Sequence, residues 1–197
     1  MRKELLLEVA YEKFAEKGYN TSLSEISKGA GIKKQSIYNY FPNKEELLYE
    51  TIQVEMHNFY ATKVSEFKGY SNLKFEIKLK KMFVSICEYF SDIKKIRFWR
   101  WILLIESQEL FEKSRDLIRQ SERTFYRQIF ELIKSELGDA TTKDEEFWPA
   151  VQAFAVMIHG VMDGNLLYHD MFDFHVLIEN TWSHYWKGIE KMMDSEK

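Results

Sequence analysis

Pro42 and Pro149 are the only prolines in this chain of 197 residues. This scarcity constrains the fold more than any other feature. Proline breaks helices by removing a backbone donor and clashing with the preceding turn. A chain almost without it, and rich in Glu, Lys, Leu and Ile, is free to run as helices. Apolar residues recur at helical spacing along most of its length, as with Leu6, Val9, Ala10 and Phe14 between charged neighbours. The expected fold class is all-α. Helices are predicted at 3–17, 23–30, 33–40, 44–67, 72–91, 93–106, 108–137, 143–168 and 174–193.

The ends of several predicted helices carry their own punctuation. Gly18 is a stop for the first helix. Ser22-Leu23-Ser24-Glu25 fits a capping box, and so does Thr142-Lys143-Asp144-Glu145. Asn43 followed by Glu46 is a further cap. Ala30-Gly31 marks a tight turn between two short helices, where glycine accepts the left-handed conformation. Ile26, Ala30, Ile32, Ile37 and Phe41 would close a small core against the first helix. Phe41-Pro42 then ends the short pair, and a long helix follows.

Two short helices separated by a glycine turn are the pattern of a helix-turn-helix, whose second helix enters the DNA major groove. Charge agrees locally. The formal net charge is −3, which excludes a general polycation. Yet four lysines and no acid lie between Lys28 and Lys44, a basic patch suited to phosphate.

In these residues the chain resembles the TetR family of bacterial regulators. The resemblance rests on Phe14-Ala15-Glu16-Lys17-Gly18-Tyr19, Ile26, Ala30-Gly31-Ile32, Ser36-Ile37-Tyr38-Asn39-Tyr40-Phe41 and Lys44-Glu45-Glu46-Leu47-Leu48. It implies an N-terminal three-helix helix-turn-helix domain at 1–46 and a larger C-terminal helical domain at 47–197 for ligand binding and dimerisation. It also implies that Lys33, Lys34, Gln35 and Ser36 open the recognition helix. Gln35 suits adenine and a lysine suits guanine. Tyr38 and Tyr40 would touch phosphate or a thymine methyl, and Lys44 the phosphate backbone. Lys33 stands where the family usually has a small or capping residue, and Gln35 is longer than its usual counterpart. With so little chain before the first helix, no arm is expected to reach the minor groove.

The segment 143–168 is apolar almost all round, with Phe147, Trp148, Val151, Phe154, Met157, Ile158 and Val161. Such a helix needs cover on more than one side. A four-helix interface between two chains supplies it. Trp148, Gly160, Gly164, Ile178, Trp182 and Tyr185 are the candidate dimer contacts. A homodimer would place two recognition helices about 34 Å apart, on successive major grooves of a palindromic double-stranded DNA operator.

All five tryptophans follow residue 98. Phe98, Trp99, Trp101, Ile102, Phe125, Phe154 and Met157 are candidate walls of a pocket for a small-molecule effector, with core filling as the plainer role for each. Glu106, Glu109 and Asp163 are available to a cationic ligand. His159, Asp163, His169 and His175 lack the tight spacing of a metal site, so neither metal nor cofactor is expected. No nucleophile–base motif or phosphate loop appears, which argues against an enzyme. The lone Cys87 forms no intrachain disulfide and fits a reducing cytoplasm. The first apolar run is too short for a signal peptide. No stretch approaches about 18 uncharged apolar residues, so no membrane span is expected.

The sequence therefore points to a ligand-responsive dimeric transcriptional regulator, with a repressor as the first reading. A helical ligand-binding or interaction protein without specific DNA recognition is the alternative.

Overall fold

The computed structural model describes residues 2–138 and 143–194. Within them the chain is helical throughout, with no strand. The helices are α1 (Arg2–Lys17), α2 (Leu23–Gly29), α3 (Lys34–Ile37), α4 (Lys44–Lys68), α5 (Phe75–Tyr89), α6 (Ile93–Ile102), α7 (Gln108–Leu137), α8 (Trp148–Tyr168) and α9 (Phe174–Asp194).

Local chemistry sets most of these boundaries. Ser22 closes the predicted box: its Oγ accepts from the Glu25 N–H at 3.2 Å, and its own N–H donates to Glu25 Oε2 at 2.9 Å. The Glu46 N–H donates to Asn43 Oδ1 at 2.8 Å and opens α4. Asp173 caps α9 by accepting from the Val176 N–H at 3.0 Å. Helix α6 stops at Ile102, four residues before the predicted end, because Leu103 and Leu104 turn back onto the carbonyls of Arg100 and Trp101. Helix α3 is shorter than 33–40. Lys33 offers no side-chain cap, and the residues after Ile37 tighten into three-residue turns ahead of Phe41. The proposed Thr142 cap lies outside the described residues. Lys143 instead donates its N–H to Glu146 Oε1 at 3.1 Å, and a 3₁₀ turn at Asp144–Glu146 leads into α8.

Packing groups the chain into two compact units. One compact unit is residues 1–60 with 94–121, and the other is residues 61–93 with 122–197. In the first, Phe98, Ile102, Ile105 and Leu110 share an apolar core with Leu6, Phe14, Ile26, Ile37, Phe41 and Leu47. Helix α6 is thus part of the body that carries the helix-turn-helix. In the second, α5, α8 and α9 pack together around Phe83, Phe154 and Trp182.

The helical stretch Asp144–Tyr168 is, by length and composition, apolar enough to cross a membrane, a test that the core helix of a folded protein also passes. Its position accounts for that character. Val151, Phe154, Ile158, Val161 and Met162 are buried within the second unit, and Asn165 is fixed there by donating to the Phe90 carbonyl at 3.0 Å.

Candidate nucleic-acid interface

The helix-turn-helix is built by α2 and α3 on the floor of α1. Ile26, Ile37 and Phe41 are buried as predicted, while Ala30 and Ile32 are only partly covered. Gly31 makes the turn at φ +65°, and its surroundings are open. This leaves α3 pinned by Ile37 alone, with nearly everything around that residue facing out. Lys33, Lys34 and Gln35 are exposed, Ser36 is half-buried, Tyr38 is 50% exposed and Tyr40 is 38% exposed. The arrangement presents two cations, a carboxamide, a hydroxyl and two phenols on α3 and the residues that flank it. These are the groups that donate to phosphate and to base edges.

Lys44 is half-buried and has a partner within its own chain. Its Nζ donates to the Tyr19 carbonyl at 2.7 Å and lies 3.7 Å from the centre of the Tyr19 ring. Tyr19 in turn donates its hydroxyl to Glu45 Oε1 at 3.0 Å. Partial burial pulls the Lys44 ammonium below the usual lysine range, and burial followed by the Glu45 bond pushes the Tyr19 phenol up. Lys44 therefore ties the start of α4 to the segment between α1 and α2. Sequence reasoning missed Tyr19 as its partner. Its aromatic ring beside Gly18 was the available signal.

The candidate effector residues fall in both units. Phe98, Trp99, Trp101 and Ile102 belong to the first, and Phe125, Phe154 and Met157 to the second. Phe98 and Ile102 are core residues, 1% and 2% exposed. Phe98 packs on Tyr11 of α1, with ring centres 4.9 Å apart. The crevice beside them, bounded by Phe14, Gly18, Tyr19 and Trp101, has about 10 Å³ of interior space, enough for one water molecule. Both residues line this crevice as well as the core. Phe154 is fully buried too, edge-on to Phe83 at 5.7 Å.

The expected dimer contacts divide in the same way. Ile178, Trp182 and Tyr185 are buried in their own chain. Trp182 stacks on Trp186 at 5.8 Å, and Tyr185 donates its hydroxyl to the Ala150 carbonyl at 3.1 Å. The apolar stripe of α9 turns inward onto α5 and α8. Trp148 is half-buried and stacked on Phe130 at 4.7 Å. A Cβ at Gly164 would come within 2.9 Å of Leu177 Cδ2, so that glycine serves contact within the chain. Gly160 is the exception, with nothing within 4 Å of an added Cβ. Apolar side chains that sequence reasoning did not single out are exposed on the same two helices: Val156 at 69% and Leu167 on α8, and Val176 on α9.

Among the described residues no group of three or more His, Cys, Asp or Glu side chains is placed to hold a metal ion. His159 lies 3.9 Å from Glu122. Burial alone raises the Glu122 carboxyl above its ordinary range.

Comparison with known proteins follows this geometry. A family model described as bacterial regulatory proteins, tetR family, matches residues 6–51. The HTH-type transcriptional regulator YuxN of Bacillus subtilis is 44% identical over 63 residues, covering 32% of this chain and 20% of YuxN. The fatty acid metabolism regulator protein of the same organism is 29% identical over 134 residues, covering 68% of this chain and 61% of that protein. The chain thus spans less than two thirds of these curated relatives. Among solved structures, the transcriptional regulator FadR from Bacillus subtilis in complex with stearoyl-CoA superposes with a TM-score of 0.71 at 19% identity, covering 92% of this chain and 96% of that one. That likeness is one of fold. The match at residues 6–51 takes in the capping box, the glycine turn and the exposed face of α3, and over that stretch the chain is similar to the bacterial regulatory proteins of the tetR family.

Proposed function

We propose that the chain is a ligand-responsive, dimeric repressor that binds a palindromic operator in the cytoplasm. In this reading residues 1–46 read DNA, and residues 47–197 bind the effector and dimerise. The exposed face of α3, opened by the Gly31 turn and carrying Lys34, Gln35 and Tyr38, is the observation that carries the reading. Dimerisation falls to the exposed apolar face of α8 and α9 around Val156, Gly160, Leu167 and Val176, since the inner stripe of α9 is already covered.

The effector proposed first is a fatty acyl-CoA. The support is the Bacillus subtilis fatty acid metabolism regulator, similar over 134 residues, and the FadR structure that holds stearoyl-CoA. A coupling of about 1–3 kcal/mol would change operator affinity roughly 5–150-fold.

The experiment is a titration of the purified dimer against a duplex from upstream of its own gene, with and without stearoyl-CoA. Nanomolar binding that weakens with stearoyl-CoA is the expected result. Failure of folded dimer to bind any such duplex at low salt would sink the DNA-binding reading. Binding that ignores stearoyl-CoA would sink the choice of effector.

A further inference from the structure

A groove of about 400 Å³ opens between the start of α1 and the residues on either side of α3, with Leu5, Leu6, Ala30 and Ile32 as its apolar walls. Arg2 and the turn at Gly31 border it, with Lys33, Ser36, Asn39 and Tyr40. Two cations line it and no carboxylate does. Ser36, Asn39 and Tyr40 add neutral donors. Lys34, Gln35 and Tyr38 are not among its walls. The helix-turn-helix thus has two distinct exposed faces. Lys33, Ser36 and Tyr40 share one of them. Lys34, Gln35 and Tyr38 lie outside it.

The dimensions of DNA give these faces different tasks. A helix with its side chains is about 10–12 Å across, and the major groove is about 12 Å wide. A helix seated there has base edges under one face and a phosphate wall beside the next. We infer that the groove seats one sugar–phosphate strand of duplex DNA, with Arg2 and Asn39 as phosphate contacts. Lys33, Ser36 and Tyr40 complete the seat, while Lys34, Gln35 and Tyr38 read base edges. The inference rests on the DNA-binding reading above and adds two phosphate contacts, Arg2, which lies outside every motif, and Asn39. It also shifts backbone anchoring from Lys44, engaged by Tyr19, to the far end of α1.

The test uses full-length protein with any tag at the C-terminus, and a 30-base-pair duplex of arbitrary sequence, because backbone contacts are blind to sequence. Affinity is measured across a salt series. Each phosphate neutralised contributes about 0.9 to the slope of log affinity against log salt. Arg2→Ala should flatten that slope by about 0.9, and Arg2→Lys should restore it. Asn39→Ala should weaken every duplex about threefold to tenfold, the worth of one neutral hydrogen bond, at unchanged slope. Gln35→Ala should leave the slope alone. Wild-type binding with unaltered slope in Arg2→Ala and unaltered affinity in Asn39→Ala overturns the groove and leaves the DNA-binding reading standing. A folded wild type that binds no duplex at low salt overturns both.

Discussion

Trp101 lies directly against Gly18. A Cβ added at Gly18 would fall 2.4 Å from Trp101 Cδ2, and the glycine holds φ +59°. The end of α6 is thereby seated on the exit of α1, within the unit that carries the helix-turn-helix. Neither larger residues at position 18 nor an ordinary backbone there would allow it.

Gly18→Ala should therefore cost more than a left-handed backbone alone, which is about 1–2 kcal/mol. The companion substitution Gly31→Ala has nearly the same φ, +65°, but open space around it. It should show the backbone cost only. Urea unfolding of the two variants checks this. Equal losses would mean that the indole yields without cost.

Ser114 is fully buried, and its hydroxyl has no hydrogen-bond partner among the described residues. An unpaired buried hydroxyl carries a desolvation penalty of about 1–3 kcal/mol. Ser114→Ala should raise stability by about 1 kcal/mol, visible as a higher urea midpoint at unchanged slope. A lower midpoint would show that the hydroxyl finds an acceptor in solution.

Glu25 has its carboxyl held down to about 2 by the Lys17 ammonium, then by the Ser22 backbone N–H and hydroxyl. A carboxylate depressed in the folded state stabilises it above the unfolded value, near 4.5. That contribution drains away as pH falls toward about 2. The stability gap between wild type and Glu25→Gln should be full at pH 6 and shrink steadily between about pH 4.5 and 2. A gap independent of pH would remove the ionic cap from the account of α2.

Val156 and Trp182 should respond in opposite ways. Val156 is on the open face of α8, whereas Trp182 is buried in its own chain. Val156→Arg should shift a dimer toward monomer in sedimentation while each chain stays folded. Trp182→Ala should instead destabilise the chain itself by about 3–5 kcal/mol. A fully dimeric Val156→Arg would move the interface elsewhere.

What the sequence by itself determined about this protein is mostly what neighbours three or four residues apart decide. The Ser22–Glu25 box, the Asn43 cap and the Gly31 turn form between groups that the chain holds together before any tertiary contact exists. The apolar period of α1 likewise names its buried face in advance. Those signals suffice for an all-helical chain with a helix-turn-helix. Only the tertiary structure decided which partner each side chain meets. Lys44 and Tyr19 are 25 positions apart, and the charge of a lysine says nothing about whether phosphate or a carbonyl will take it. Trp101 and Gly18 are 83 apart, and an aromatic stripe reads alike as pocket or as core. Helix α8 is apolar on every side, so no periodic pattern within it marks which side stays open. That was settled by α5 and α9 covering one side and leaving Val156 and Gly160 bare.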